Sequence, residues 1–164
     1  MSSSVIFSGT HPCLVDDKGR LIIPKSMRVQ VPAEQEKYWV TLMLPERCVA
    51  VYPDDFWKSV YKKHVDDLVG ADSPEKRERF RALMEKTYAM KPDGQGRFKV
   101  HPALVRAAGL EGQLLAIGFG DHVEYWAVDR RQRYAQSMGA SDDDSYARYA
   151  DAARDEGETD EADR

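Results

Sequence analysis

The sequence is poor in cysteine and histidine and carries no long apolar run. Its two cysteines, Cys13 and Cys48, sit in apolar strand-like segments. They are expected to be buried small hydrophobes kept reduced, not a disulfide. The four histidines, His11, His64, His101 and His122, show no metal-ligand spacing with either cysteine. No apolar stretch approaches the roughly 18 residues of a membrane span. Met1-Ser2-Ser3-Ser4 lacks the charged start and apolar core of a signal peptide. A phosphate loop is missing too, because Gly94-Gln95-Gly96 is not followed by Lys and Ser or Thr. These absences predict a soluble, cytoplasmic protein without metal or other cofactor. No residue set supplies a nucleophile, a base or a metal site, so an enzyme is not expected.

The charge is divided. The chain holds 24 basic and 28 acidic residues, a net charge of −4. Residues 139–164 take ten of the acids and three arginines, leaving 21 basic against 18 acidic residues in the body. The acidic end, rich in Asp, Glu, Ala, Gly and Ser, reads as a disordered tail. The body is mildly basic, which permits nucleic-acid binding without requiring it.

One pattern appears twice. Asp16-Asp17-Lys18-Gly19-Arg20 leads into Leu21-Ile22-Ile23-Pro24, and Asp93-Gly94-Gln95-Gly96-Arg97 leads into Phe98-Lys99-Val100-His101-Pro102. The two aspartates stand 77 positions apart. An acid, a glycine that tolerates positive φ and an adjoining arginine describe a tight turn that starts a strand. In its plain structural reading, the aspartate accepts the turn amides and the arginine folds back onto it. Repetition marks an internal duplication, and neither half is large enough to build a comfortable core alone.

The remaining elements follow the same plan twice. Cys13-Leu14-Val15 and the strand from Arg20 are expected to form a hairpin, as are Tyr38–Leu44 and Arg47–Tyr52. A short helix is expected over Lys25–Arg28. A helix beginning at Asp54 carries Trp57, Val60, Tyr61, His64 and Leu68 on one side, with Gly70 ending it and His64 reading as a core residue. Ser73-Pro74-Glu75 starts a second helix with Phe80, Leu83, Met84 and Tyr88 as its stripe. In the second half, Pro102–Ala108 is a helix closed by Gly109. Gln113–Phe119 and His122–Val128 form a hairpin across Gly120-Asp121. His101 and His122 are placed in strands, and Asp129 is placed as the cap of a last helix. The fold class is α+β, rich in β structure, with two pseudo-repeated modules. Boundaries fall at 7–54 (first module), 55–86 (connecting helices), 87–130 (second module), 131–138 (end of the C-terminal helix) and 139–164 (tail).

Lys18, Arg20, Lys25 and Arg28 place four cations within eleven residues, and Arg97 and Lys99 do so more sparingly. A planar guanidinium suits phosphate or the major-groove edge of guanine, and a two-stranded ribbon has the dimensions to enter that groove.

With these motifs in tandem, the chain resembles the MraZ family of bacterial transcriptional regulators, each half being similar to the swapped-hairpin DNA-binding module of SpoVT–AbrB type. The resemblance covers about residues 7 to 135. It implies a cytoplasmic, nucleoid-associated repressor, assembled as a homo-oligomeric ring. The ring would bind double-stranded DNA at direct repeats upstream of a division and cell-wall gene cluster that includes its own gene. The family's Asp-x-x-x-Arg signature falls on Asp16 through Arg20 and on Asp93 through Arg97. The second copy departs by holding Gln95 where the first has Lys18. The expected DNA-binding residues are Asp16, Lys18, Gly19, Arg20, Lys25, Arg28, Asp93, Gly96, Arg97 and Lys99. A ring-forming scaffold that reads no DNA is the alternative.

Overall fold

The structure, a computed structural model, describes residues 5–68 and 73–139. The first half comprises β1 (Thr10–Leu14), β2 (Arg20–Ile22), α1 (Lys25–Arg28), β3 (Tyr38–Met43) and β4 (Cys48–Pro53). Two helices follow, α2 (Asp54–Leu68) and α3 (Pro74–Met84). The second half repeats the plan as β5 (Thr87–Met90), β6 (Arg97–Lys99), α4 (Pro102–Ala108), β7 (Gln113–Gly118) and β8 (Val123–Ala127), with α5 (Val128–Ser137) after it. The fold is α+β: a six-stranded antiparallel sheet in the order β1-β7-β8-β4-β3-β5 and a two-stranded sheet β2-β6.

The expected first hairpin does not form. The turn closes, with Asp16 N donating to Arg20 O at 2.9 Å, but the strands on either side of it separate. β1 pairs with β7 of the second half, β5 pairs with β3 of the first, and β2 pairs with β6. Each half lends its first strand to the other, so the backbone groups are satisfied across the duplication. This exchange places both halves around one core, which resolves the small size of each. A local two-fold axis runs between Leu21 and Phe98, which face each other in β2–β6, and between Ala50 and Glu124, which face each other in β4–β8.

On the inner face of the large sheet, Val40, Val49, Val51, Val123 and Tyr125 pack with Leu21, Ile23, Met27, Phe98, Val100 and Leu104. The β2–β6 ribbon and the short helices α1 and α4 are thereby clamped to the sheet. Tyr125 Oη donates to Ile22 O at 2.8 Å and tethers the ribbon further. On the outer face, Trp57 of α2 stacks near Trp39 and Tyr52, and Trp126 packs against Tyr134 of α5. Ser73 caps α3 by accepting from Lys76 N, with Pro74 at its first position.

Several local expectations change. His64 is exposed, because α2 touches the sheet only through its N-terminal part and Trp57 is its buried anchor. Tyr88 lies in β5, since α3 ends at Met84. Asp129 sits inside the first turn of α5, and the cap position belongs to Ala127. His101 caps α4, its Nδ1 accepting from Ala103 N at 3.1 Å. His122 precedes β8 and is buried. Cys13 and Cys48 are free and buried as expected, and burial pushes the Cys13 thiol up to about 12. Gly70 and the acidic tail beyond Gly139 lie outside the described residues. No described helix is long and apolar enough to cross a membrane.

Candidate nucleic-acid interface

The two Asp-x-x-Gly-Arg turns have the same internal bonding. In the first, Asp16 Oδ1 accepts from Lys18 N and Arg20 N, both at 2.9 Å, and Oδ2 accepts from Arg20 Nε at 2.8 Å. In the second, Asp93 Oδ1 accepts from Gln95 N and Arg97 N at 2.9 Å, and Oδ2 from Arg97 Nε at 3.0 Å. Gly19 and Gly96 occupy the left-handed region at φ 73° and 80°, where a β-branched residue would be strained. The plain structural part expected of Asp16, Asp93 and the glycines is therefore met. Burial alone would raise the Asp16 carboxyl, but the Arg20 amide and guanidinium and the Lys18 amide outweigh it and hold the group below the usual carboxylate range. Asp93 is held low chiefly by the Arg97 amide.

The ribbon decides what these arginines face. Its register sets Arg20 opposite Lys99, Leu21 opposite Phe98 and Ile22 opposite Arg97. Side chains alternate across a strand, and Leu21 and Phe98 are the buried pair. Arg20, Arg97, Lys99 and Ile22 therefore share the outward face. Arg20 and Arg97 keep 26% and 37% of their side-chain surface exposed, so each guanidinium is partly open while its Nε is fixed by an aspartate. The aspartates act as braces: they orient the fork and limit the rotamer freedom lost when a second acceptor binds. Arg20 Nη1 also lies 3.9 Å from Asp93 Oδ2, linking the two turns. Main-chain bonds stitch them as well, from Ile23 N to Gly96 O at 2.8 Å and from Val100 N to Gly19 O at 3.2 Å.

The other expected residues are placed less uniformly. Lys18 and Lys25 are exposed, one in the first turn and one at the start of α1. Arg28 is half-buried, and its Nε is shielded from solvent with no hydrogen-bond partner. A shielded, unpaired donor costs about 1–3 kcal/mol, so this side chain is not a free surface cation. It lies over Gly96, where a methyl group would overlap Cδ and stand 2.6 Å from Nε. Sequence reasoning missed this contact. It also missed Ile22, whose exposed apolar side chain sits among the cations.

A second polar cluster lies on the outer face of the sheet. His122, 3% exposed, bonds Asp121 through Nδ1 at 2.6 Å and Glu124 through Nε2 at 3.0 Å. Glu124 accepts from Trp126 Nε1 at 3.0 Å. Burial opposes the imidazolium, yet the two carboxylates prevail and raise the His122 pKa, while Glu124 is lowered despite its own burial. Among the described residues, no group of His, Cys, Asp or Glu is arranged to hold a metal.

The chain matches the family model described as "MraZ protein, putative antitoxin-like" over residues 6–75. It is 30% identical over 138 residues to the transcriptional regulator MraZ of Methylobacillus flagellatus, covering 82% of this chain and 90% of that protein. The chain belongs to the MraZ family. The MraZ protein of Paenarthrobacter aurescens is 30% identical over 144 residues, with 85% and 96% of the two chains covered. That of Nitrosospira multiformis is 28% identical over 125 residues, covering 76% and 84%. The alignment with the Methylobacillus flagellatus MraZ is too long to omit residues 93–97, so the likeness includes the second turn, which the match to the family model does not reach.

Proposed function

We propose that the outward face of the β2–β6 ribbon, with its two turns, binds double-stranded DNA, and that the chain is a sequence-specific transcriptional regulator. The observation that carries this reading is the braced pair of arginines. Arg20 and Arg97 stand on one outward face with Lys99, each held through Nε by its own aspartate. Arg20 and Arg97 would meet base edges or phosphates. Lys18 and Lys99 would contribute phosphate contacts, with Lys25 at the margin. Gly19 and Gly96 set the turn shape, and Asp16 and Asp93 fix the forks. In this reading, residues 7–54 and 87–130 each supply one turn to a shared surface.

The relatives' shared name, transcriptional regulator MraZ, supports regulation. The finer reading follows the family resemblance: a cytoplasmic, nucleoid-associated repressor of the division and cell-wall gene cluster, its own gene included. It would act as a ring on promoter direct repeats. One ribbon with a few cations binds weakly, and several ribbons held in one assembly would engage successive repeats with useful avidity.

The test is titration of the purified chain, and of Arg20→Ala, with DNA from upstream of its own gene and with a scrambled duplex, at two salt concentrations. Preference for the upstream DNA that weakens steeply with salt and is lost in the variant is the expected result. Equal affinity for both duplexes would overturn sequence-specific reading. No affinity for either would leave a scaffold.

A further inference from the structure

We propose that Arg28 is a positioning residue for the second turn, not a DNA ligand. Reaching across the local two-fold axis from α1, it covers Gly96 and holds Asp93–Arg97 in the presented geometry. The proposal rests on the DNA-binding reading for its functional part and on geometry alone for its structural part.

Three observations carry it. The first is the seat of Arg28. Met27, buried in the core, anchors α1, and Arg28 N donates to Pro24 O at 2.9 Å, so the Arg28 stem leaves from a fixed point. Its Cδ, Nε and Cζ lie across the α-carbon of Gly96, with Cζ 3.0 Å from the place a methyl would take. The second is the state of Gly96. This glycine is buried, with Arg28 on one side and the backbone bond from Ile23 N to Gly96 O, at 2.8 Å, on the other.

The third is the contrast with the first turn. Counting from the paired aspartates, the position that matches Arg28 is Val105, a side chain too short to lie across a neighbouring turn. Gly19 is only half-buried, nothing lies within 4 Å of where its side chain would start, and its carbonyl bond from Val100 N is longer, at 3.2 Å. The duplicated turns are therefore asymmetric. The second is a covered, preformed anchor, and the first is open and free to adjust when it meets a base edge.

A positioning role and a phosphate contact make opposite demands on the side chain. Cover requires the apolar length of the stem, which methionine reproduces. A phosphate contact requires the charge, which methionine lacks. The experiment measures amide hydrogen exchange at both turns, and DNA affinity, for wild type, Arg28→Met and Arg28→Ala. Arg28→Ala is expected to speed exchange at the Gln95, Gly96 and Arg97 amides roughly tenfold and to leave those of Lys18, Gly19 and Arg20 unchanged. Arg28→Met is expected to keep both protection and DNA affinity near wild type. In double variants, the affinity losses of Arg28→Ala and Arg97→Ala should overlap, whereas those of Arg28→Ala and Arg20→Ala should add.

Arg28→Met that retains wild-type exchange but binds DNA as weakly as Arg28→Ala would make Arg28 a direct contact and overturn the proposal. Unchanged exchange at the second turn in Arg28→Ala, or equal acceleration at both turns, would overturn it too. Wild type that binds no DNA would remove the functional reading, and the exchange results would still decide the positioning role.

Discussion

The two turns of this chain share their internal hydrogen bonds and differ in their surroundings. The first carries Lys18, stands open around Gly19 and is followed by Lys25 and Arg28. The second has Gln95 in place of Lys18, Pro102 in place of Lys25 and Val105 in place of Arg28, and its glycine is buried beneath Arg28. The second copy is favoured in the ribbon, with Lys99 where the first has Ile22, and at the end of α4, with Arg106 where the first has Val29. Duplication therefore fixed the scaffold twice and left the side chains around it free to diverge. The Asp–Gly–Arg frame is what geometry needs, and the cations beyond it are where one turn acquires work that the other lacks.

The comparison can be broken first at its centre. Leu21 and Phe98 face each other on the local axis, and Phe98 also meets the Tyr125 ring at a centroid distance of 5.7 Å. Phe98→Ala should cost about 3–5 kcal/mol and Leu21→Ala about 2–5 kcal/mol in chemical unfolding. A neutral result for either would mean that the ribbon is not clamped to the sheet by this pair.

The asymmetry is sharpened at the glycines. Gly19→Val should lose about 1–3 kcal/mol from backbone strain alone. Gly96→Val should lose more, because the new side chain also displaces Arg28, so its melting temperature should fall further. Equal losses would dissolve the distinction between open and covered turns.

At the next level stand the arginines. Arg20→Ala and Arg97→Ala should each weaken DNA binding by about 1–3 kcal/mol without altering the fold. Lys18→Gln, which makes the first turn resemble the second, should act mainly on salt dependence, reducing the slope by about one. If Lys18→Gln instead abolished sequence preference, that lysine would be a base reader.

The smallest effects concern pH. Asp16 and Asp93 have folded pKa values below their ordinary ones, so each contributes stability above the ordinary carboxylate pKa, and that contribution disappears as pH falls through the lowered value. Both turns should loosen over the same acid range, which carboxyl-carbon NMR titration checks. His122 behaves oppositely. Its raised pKa gives stability present below the ordinary histidine value and lost as pH rises through the raised one. His122→Gln should flatten that alkaline side of the stability curve, and an unchanged curve would show that the His122–Glu124 pair contributes nothing.

Local chemistry made much of this molecule readable in advance. Ser73-Pro74 marks a helix start, Gly109 a helix stop, and Asp-x-x-Gly-Arg a braced turn, because each depends on neighbours within a few residues. What stayed hidden is non-local. Nothing near Cys13 says that it will pair with Leu114 of the other half instead of returning on β2. The cover of Arg28 over Gly96 spans 68 positions of sequence. His64 shows the limit of periodicity, since its helix runs past the sheet before that residue is reached. His122 looked like an ordinary strand residue, although Asp121 and Glu124, one and two positions away, were the signal of a buried ion pair.

The central claim is that DNA meets the outward face of the ribbon. NMR mapping of the amides on addition of upstream DNA tests it most directly. The account predicts shifts concentrated at residues 16–22 and 93–99, with α2, α3 and α5 unmoved. Shifts confined to those helices, or none at saturating DNA, would contradict it.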